Sequence, residues 1–196
     1  HFLSKLRDLD VQVGHILGTS RRAYWECMLG QAYLRMGQLE ESKSHYLQGL
    51  KLLGHPTTYN RIPLAINTLR QVATYAVHSF HFRNVAMNAS RSRESFLEAS
   101  RAYTGLLDIS VYANEVLPAA NSLLCAYNLA DHAGISPELV WGDAMMALVL
   151  GLNRLHSRAK HHLSLADKRA HQLGIPTVSA RVAIATGTYY MGLAQW

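Results

Sequence analysis

The 196-residue sequence predicts an all-α fold of consecutive antiparallel helix hairpins, and three observations carry that prediction. Glycine with a proline close behind punctuates the chain at Gly54-His55-Pro56, Gly134-Ile135-Ser136-Pro137 and Gly174-Ile175-Pro176, with the glycines 80 and 40 residues apart. A glycine can take the left-handed conformation that closes a helix, and a proline just beyond cannot extend it. Strand signals are scarce, with no Asn-Gly or Asp-Gly hairpin turn and no sustained polar-apolar alternation. Finally, the chain repeats itself: LGQAYLRMGQ at 29–38 aligns without a gap to TGTYYMGLAQ at 186–195, pairing Gly30 with Gly187, Tyr33 with Tyr190 and Gln38 with Gln195.

The elements follow in order. The opening HFLSKLRDLD reads as an amphipathic helix rather than the apolar core of a signal peptide. Helices are then expected at 21–36 and 39–53, at 63–82 and 94–107, at 116–133 and 137–151, and at 155–173 and 177–196, paired in that order. Glu40 and Glu41 open the second of these with negative charge at the positive end of its dipole. The segment IPLAINTLRQVATYAVHSFHF, 62–82, is interrupted by Asn67, Arg70, Gln71 and His78, which argues against a membrane span. Its aromatic, amphipathic face is expected to be buried in the protein. The polar stretch NASRSRE, 88–94, supplies the stop that a 40-residue spacing leaves unmarked. Ser136 is placed to cap a helix that has Pro137 at its first position and Glu138 in its first turn.

Within 29–46 the pattern has packing logic. Gly30 allows close approach of a second helix, which offsets its cost of about 1 kcal/mol relative to alanine. Tyr33 lies one turn later on the same face, Gly37 ends the helix, and Ser42 and Tyr46, four apart, share the inward face of the next. The order resembles the tetratricopeptide repeat, W-x2-L-G-x2-Y, then A-x3-F, then P. Leu29, Gly30 and Tyr33 match; Ser42 and Tyr46 stand for the alanine and phenylalanine. Glu26 occupies the tryptophan position, with Trp25 one place off, and Pro56 comes two residues late. The resemblance implies a right-handed α-α superhelix of approximate units 21–56, 60–110, 112–151, 152–176 and an incomplete 177–196. On that reading the chain is a piece of a longer array, with 1–20 the second half of an earlier pair.

A narrower resemblance lies in LADHAGISPEL (129–139), GLNRLHSRA (151–159) and ADKRAHQLGIP (166–176). These are similar to the helical C-terminal region of large bacterial signalling proteins, in which an AAA-type ATPase, often preceded by cyclase or kinase domains, is followed by degenerate tetratricopeptide repeats. The resemblance implies a cytoplasmic, non-catalytic module that engages protein or peptide partners and other domains of its parent chain. No catalytic residue of that family maps here.

Composition sets the remaining bounds. Half the residues are hydrophobic (49%), so a sizeable core can form. The two cysteines, Cys27 and Cys125, have no C-x-x-C partner and suggest no disulfide framework. The net charge of +6 is dispersed over helix faces, densest in SRR (20–22), SRSR (90–93) and SRAKHH (157–162). No nucleic-acid module is recognisable, so nucleic acid is disfavoured as a partner. His78 and His81 could share a helix face, yet zinc needs three or four ligands and no further donor is spaced to help. Of the adjacent His161 and His162, one is expected at the edge of the core and one in solvent. There is no G-x-S-x-G elbow, G-x-x-x-x-G-K-S/T loop or G-x-G-x-x-G fingerprint. No catalytic, cofactor or metal residue is therefore nominated.

The candidate partner-binding residues are Cys27, Gln31, Leu34 and Arg35, expected as exposed positions on the inner face of the first repeat, with Gln31 and Arg35 able to bond an extended peptide or its carboxylate. The repeat signature itself comprises Leu29, Gly30, Tyr33, Gly37, Ser42, Tyr46, Gly187 and Tyr190. Two other readings compete: a ligand-sensing helical array of a transcriptional activator, and a basic helical nucleic-acid binder.

Overall fold

A computed structural model describes residues 19–80 and 90–193. Every regular element among them is a helix: α1 (Thr19–Arg35), α2 (Leu39–Leu52), α3 (Arg61–Phe80), α4 (Ser90–Tyr112), α5 (Val116–Ala133), α6 (Pro137–Leu152), α7 (His156–Leu173) and α8 (Pro176–Gly192). None of these is long and apolar enough to cross a membrane. The helix expected at the start of the chain and Gln195 lie outside the described residues. So does part of the 88–94 boundary, and α4 begins at Ser90, four residues before the expected start.

The helix stops are built as the sequence implies, and more often. Gly37, Gly54, Gly134 and Gly174 all have positive φ. At the ends of α1 and α2 the next N–H donates back five residues, Gln38 to the Tyr33 carbonyl (3.0 Å) and His55 to Leu50 (2.9 Å). This is the Schellman closure, which satisfies carbonyls the helix leaves unpaired. Two further ends use it without glycine. Asn114 (φ 57) and Arg154 (φ 60) are left-handed, and Glu115 and Leu155 donate to the Ser110 and Leu150 carbonyls at 2.8 and 2.9 Å. At the start of α6 the Ser136 hydroxyl accepts from the Leu139 N–H at 3.2 Å, the expected cap, ahead of Pro137.

The packing divides into two units that meet within α5, one ending at Asn128 and the other beginning at Leu129. In the first unit α1 and α2 form a hairpin and α4 packs on both. Its centre is Tyr46, 4% exposed. A Cβ at Gly30 would lie 3.0 Å from the root of that ring, and one at Gly105 would lie 2.2 Å from its tip. The ring thus occupies a slot that only two glycines leave open. The Ser42 hydroxyl, fully buried, donates to the Gly30 carbonyl at 2.8 Å. Leu50 and Leu106 are almost completely buried in the same unit, each stabilising it by about 1.5–3 kcal/mol relative to exposure. The loop after α2 is held by the Lys43 ammonium 3.8 Å above the Tyr59 ring, worth about 0.5–2 kcal/mol.

In the second unit α6 packs along α7, and α8 leans on both. That hairpin is not among the pairs expected from the sequence. Val140 and Ala144 of α6, Ala166 and Ala170 of α7, and Val178, Val182 and Ala185 of α8 make one buried cluster. The small alanines let three backbones approach. Tyr189 lies over Gly151, where a Cβ would be 2.6 Å from its ring.

Candidate interaction site

Two hairpins share an unannounced chemistry. In α1–α2 the Glu26 carboxylate meets His45 Nδ1 at 2.7 Å, and in α6–α7 Asp143 meets His162 Nδ1 at 3.0 Å, each pair 19 residues apart in sequence. Tyr33 stacks flat on His45, ring centroids 5.1 Å apart, so α1 and α2 are joined through Tyr33, His45 and Glu26. Asp143 is completely buried and also receives the Arg169 guanidinium. His162 is buried and His161 exposed, the division expected of the two. A carboxylate and a histidine on different helices were invisible to a search for local motifs. The equal spacing of the two pairs is the signal that would have found them.

That coincidence fixes a register. Superposing Glu26 on Asp143 places Ala23, Cys27 and Gly30 on Val140, Ala144 and Ala147. The glycine alignment already noted extends it to α8, as Ala180, Ala183, Ile184, Gly187 and Met191. On α1 the residues 23, 26, 27 and 30 are all buried; on α6 so are 140, 143, 144 and 147. On α8 their four counterparts are exposed, Ile184 at 70%, and so is Met191 at 61%, whose own counterparts Leu34 and Gly151 are half-buried. Among the described residues outside its own helix, nothing lies within 4 Å of a Cβ built on Gly187. The opposite face of α8, with Val178, Val182, Ala185 and Tyr189, is the buried one. Tyr190, aligned with Tyr33, is 36% exposed, and the buried tyrosine is its neighbour Tyr189.

The nominated residues of α1 divide. Gln31 and Arg35 are exposed, one turn apart, and Leu34 is half-buried. Cys27 is a correction: it is 7% exposed, not on an open surface. Its sulfur faces Gly49 of α2, where a Cβ would stand 2.8 Å away. Burial first, then the nearby Glu98 and Glu26 carboxylates, push its thiol up to about 12. Leu29, Ser42 and Tyr46 are core residues, and Gly37 is the left-handed stop.

Near the start of α6 and α8 a cavity of about 220 Å³ is lined by Pro137, Val140, Trp141, Ile175, Val178 and Arg181, among others, with the Arg181 guanidinium 5.6 Å from the centre of the Trp141 ring. Among the described residues no three His, Cys, Asp or Glu side chains come together as a metal would need; His81 and the side chain of His78 fall outside them. Compared with known proteins, the chain matches no family model, no curated protein and no solved structure.

Proposed function

We propose that this chain is a non-catalytic interaction module, a tetratricopeptide-like array with the right-handed superhelical stacking of that repeat, serving as a regulatory segment of a larger signalling protein. The observation that carries the reading is the exposed α8 face. The residues of this register are buried on α1 and on α6, and on α8 it presents Ala183, Ile184 and Gly187 to solvent, with exposed Met191 one turn beyond. A helix with a small residue and a large apolar one four positions later, as in Ser42 and Tyr46 or Ala159 and Leu163, fits that face. The LADHAGISPEL, GLNRLHSRA and ADKRAHQLGIP segments support the signalling context. Gln31 and Arg35 remain the candidate polar contacts on α1.

The test is a titration of the chain with a peptide of residues 39–53, followed by fluorescence anisotropy. Binding is expected, and Gly187→Phe, which fills the notch, should weaken it about tenfold or more. A peptide that instead displaced α2 from α1 would bind the Gly187→Phe variant undiminished, and that result, like absence of binding, overturns the α8 assignment.

A further inference from the structure

The helix α3 is packed with its polar side inward. Asn67 donates to the Asn121 side chain at 3.4 Å, Asn121 donates to Thr68 at 3.1 Å, and Asn128 donates to the Gln71 side chain at 2.8 Å. Asn121 and Asn128 are themselves buried in α5, so this seam satisfies the Asn121 amide and the Asn128 NH2 group, which would otherwise cost free energy, while the Asn128 Oδ1 accepts no bond among the described residues. Tyr75 meets Tyr127 edge to face at 5.6 Å on the same side. Leu64 is buried beside this seam, while the other large aliphatic residues of α3 are turned out. Ile62, Ile66 and Leu69 are 75%, 63% and 71% exposed. With exposed Ala73 and Val77 they recur at spacings of four, three, four and four, one continuous stripe of a helix. The stripe runs about 22 Å along the axis. Exposed Ile, Leu and Val scattered singly need no explanation, but a contiguous stripe marks an interaction surface.

We propose that this face docks an amphipathic helix of a partner protein whose apolar stripe is flanked by acidic residues. Charge selects that occupant. Arg61 and Arg70 are exposed on opposite flanks of the stripe, and α3 contains no Asp or Glu. A second copy of this chain is a poorer fit. Arg70 lies near the midpoint of the stripe, so pairing α3 with itself sets Arg70 against Arg70, parallel or antiparallel, and like charges across such a seam disfavour association. Glutamates on the incoming helix remove that penalty and pair both arginines. The inference stands on a different helix, and in the other packing unit, from the proposal for α8.

Two synthetic helices of about 18 residues, sized to the stripe, serve as probes. Both have leucines at heptad spacing, one with glutamate and one with lysine on the flanks, and both are titrated against the full chain by calorimetry. The acidic probe should bind about tenfold or more tightly than the basic one. Leu69→Glu, a solvent-side change that leaves the circular dichroism intact, should abolish binding, and Arg70→Glu should reverse the preference between probes. Equal affinity of the two probes, insensitivity to Leu69→Glu, or no binding to either overturns the proposal. So does self-association of the chain, by analytical ultracentrifugation, that Leu69→Glu dissolves, because the occupant is then a second copy. Gly187→Phe should leave the acidic probe's affinity unchanged, and Leu69→Glu should leave that of the 39–53 peptide unchanged, which separates failure here from failure of the α8 reading.

Discussion

Helices α1 and α8 carry Gly30 and Gly187 at the same register, yet the two glycines live in opposite surroundings. Around Gly30 a tyrosine ring, a serine hydroxyl and a second helix leave a methyl group only a tight fit; around Gly187 no described residue outside its own helix would meet one. A motif residue therefore reports the geometry of a repeat, while its surroundings decide whether it holds the fold together or offers a surface. The intermediate case is α6, where Ala147 replaces the glycine and the covering helix brings Leu163 in place of Tyr46. A smaller knob permits a larger floor.

The comparison can be broken by substitution, beginning where the covered hairpins invest most. Asp143 is fully buried between His162 and Arg169. Asp143→Ala leaves both without their anion and should cost about 3–5 kcal/mol in urea unfolding. Its counterpart Glu26→Ala, where Glu26 and His45 keep some solvent access, should cost about 1–2 kcal/mol. The α8 position already holds alanine at 183, so no histidine bridge is broken there. Equal losses at 143 and 26 would show that burial does not separate the two bridges.

Next come the glycines that frame Tyr46. Gly105→Ala drives a methyl into a ring that Gly30 already backs, and should destabilise by about 2–3 kcal/mol. Gly30→Ala, with a contact of 3.0 Å rather than 2.2 Å, should lose about 1–2 kcal/mol after its gain in helix propensity. The smallest effect has the opposite sign. Gly187→Ala meets nothing and should raise stability by about 0.5–1 kcal/mol through the unfolded chain and helix propensity, read as a higher thermal midpoint. A loss at 187 would mean that this face is covered after all.

Much of the helical layout was legible because it rests on local rules. The glycine-proline stops, the Ser136 cap and the 116–133 helix need only neighbouring residues to be understood. Asn114 and Arg154 were not legible as stops, since neither residue type demands a positive φ. For Arg154 the conformation costs about 1–2 kcal/mol, offset by the hydrogen bonds that Arg154 and Leu155 return to the Gly151 and Leu150 carbonyls. The candidate surfaces were harder still. Periodicity identifies 62–82 as amphipathic but not which side faces inward, and the expected burial of its apolar face is reversed at Ile62, Ile66 and Leu69. What reversed it is the asparagine pair at 121 and 128 on α5, which only a partner amide or water can satisfy. Cys27 was read as surface because the glycine opposite it, Gly49, is informative only once the two helices are laid together.

The amide seam beneath α3 also bears on how the molecule melts. A helix held by oil detaches with a large heat-capacity increment, since apolar surface must be wetted. Lifting α3 away exchanges amide bonds for water and wets Leu64 and Tyr75, whereas Ile62, Ile66 and Leu69 are wet beforehand. Its amide protons should therefore exchange with deuterium sooner than those of α2, at an opening free energy below that of the whole chain. Occupation of the outer stripe would slow that exchange, giving a helix whose lifetime in place is set from its solvent side.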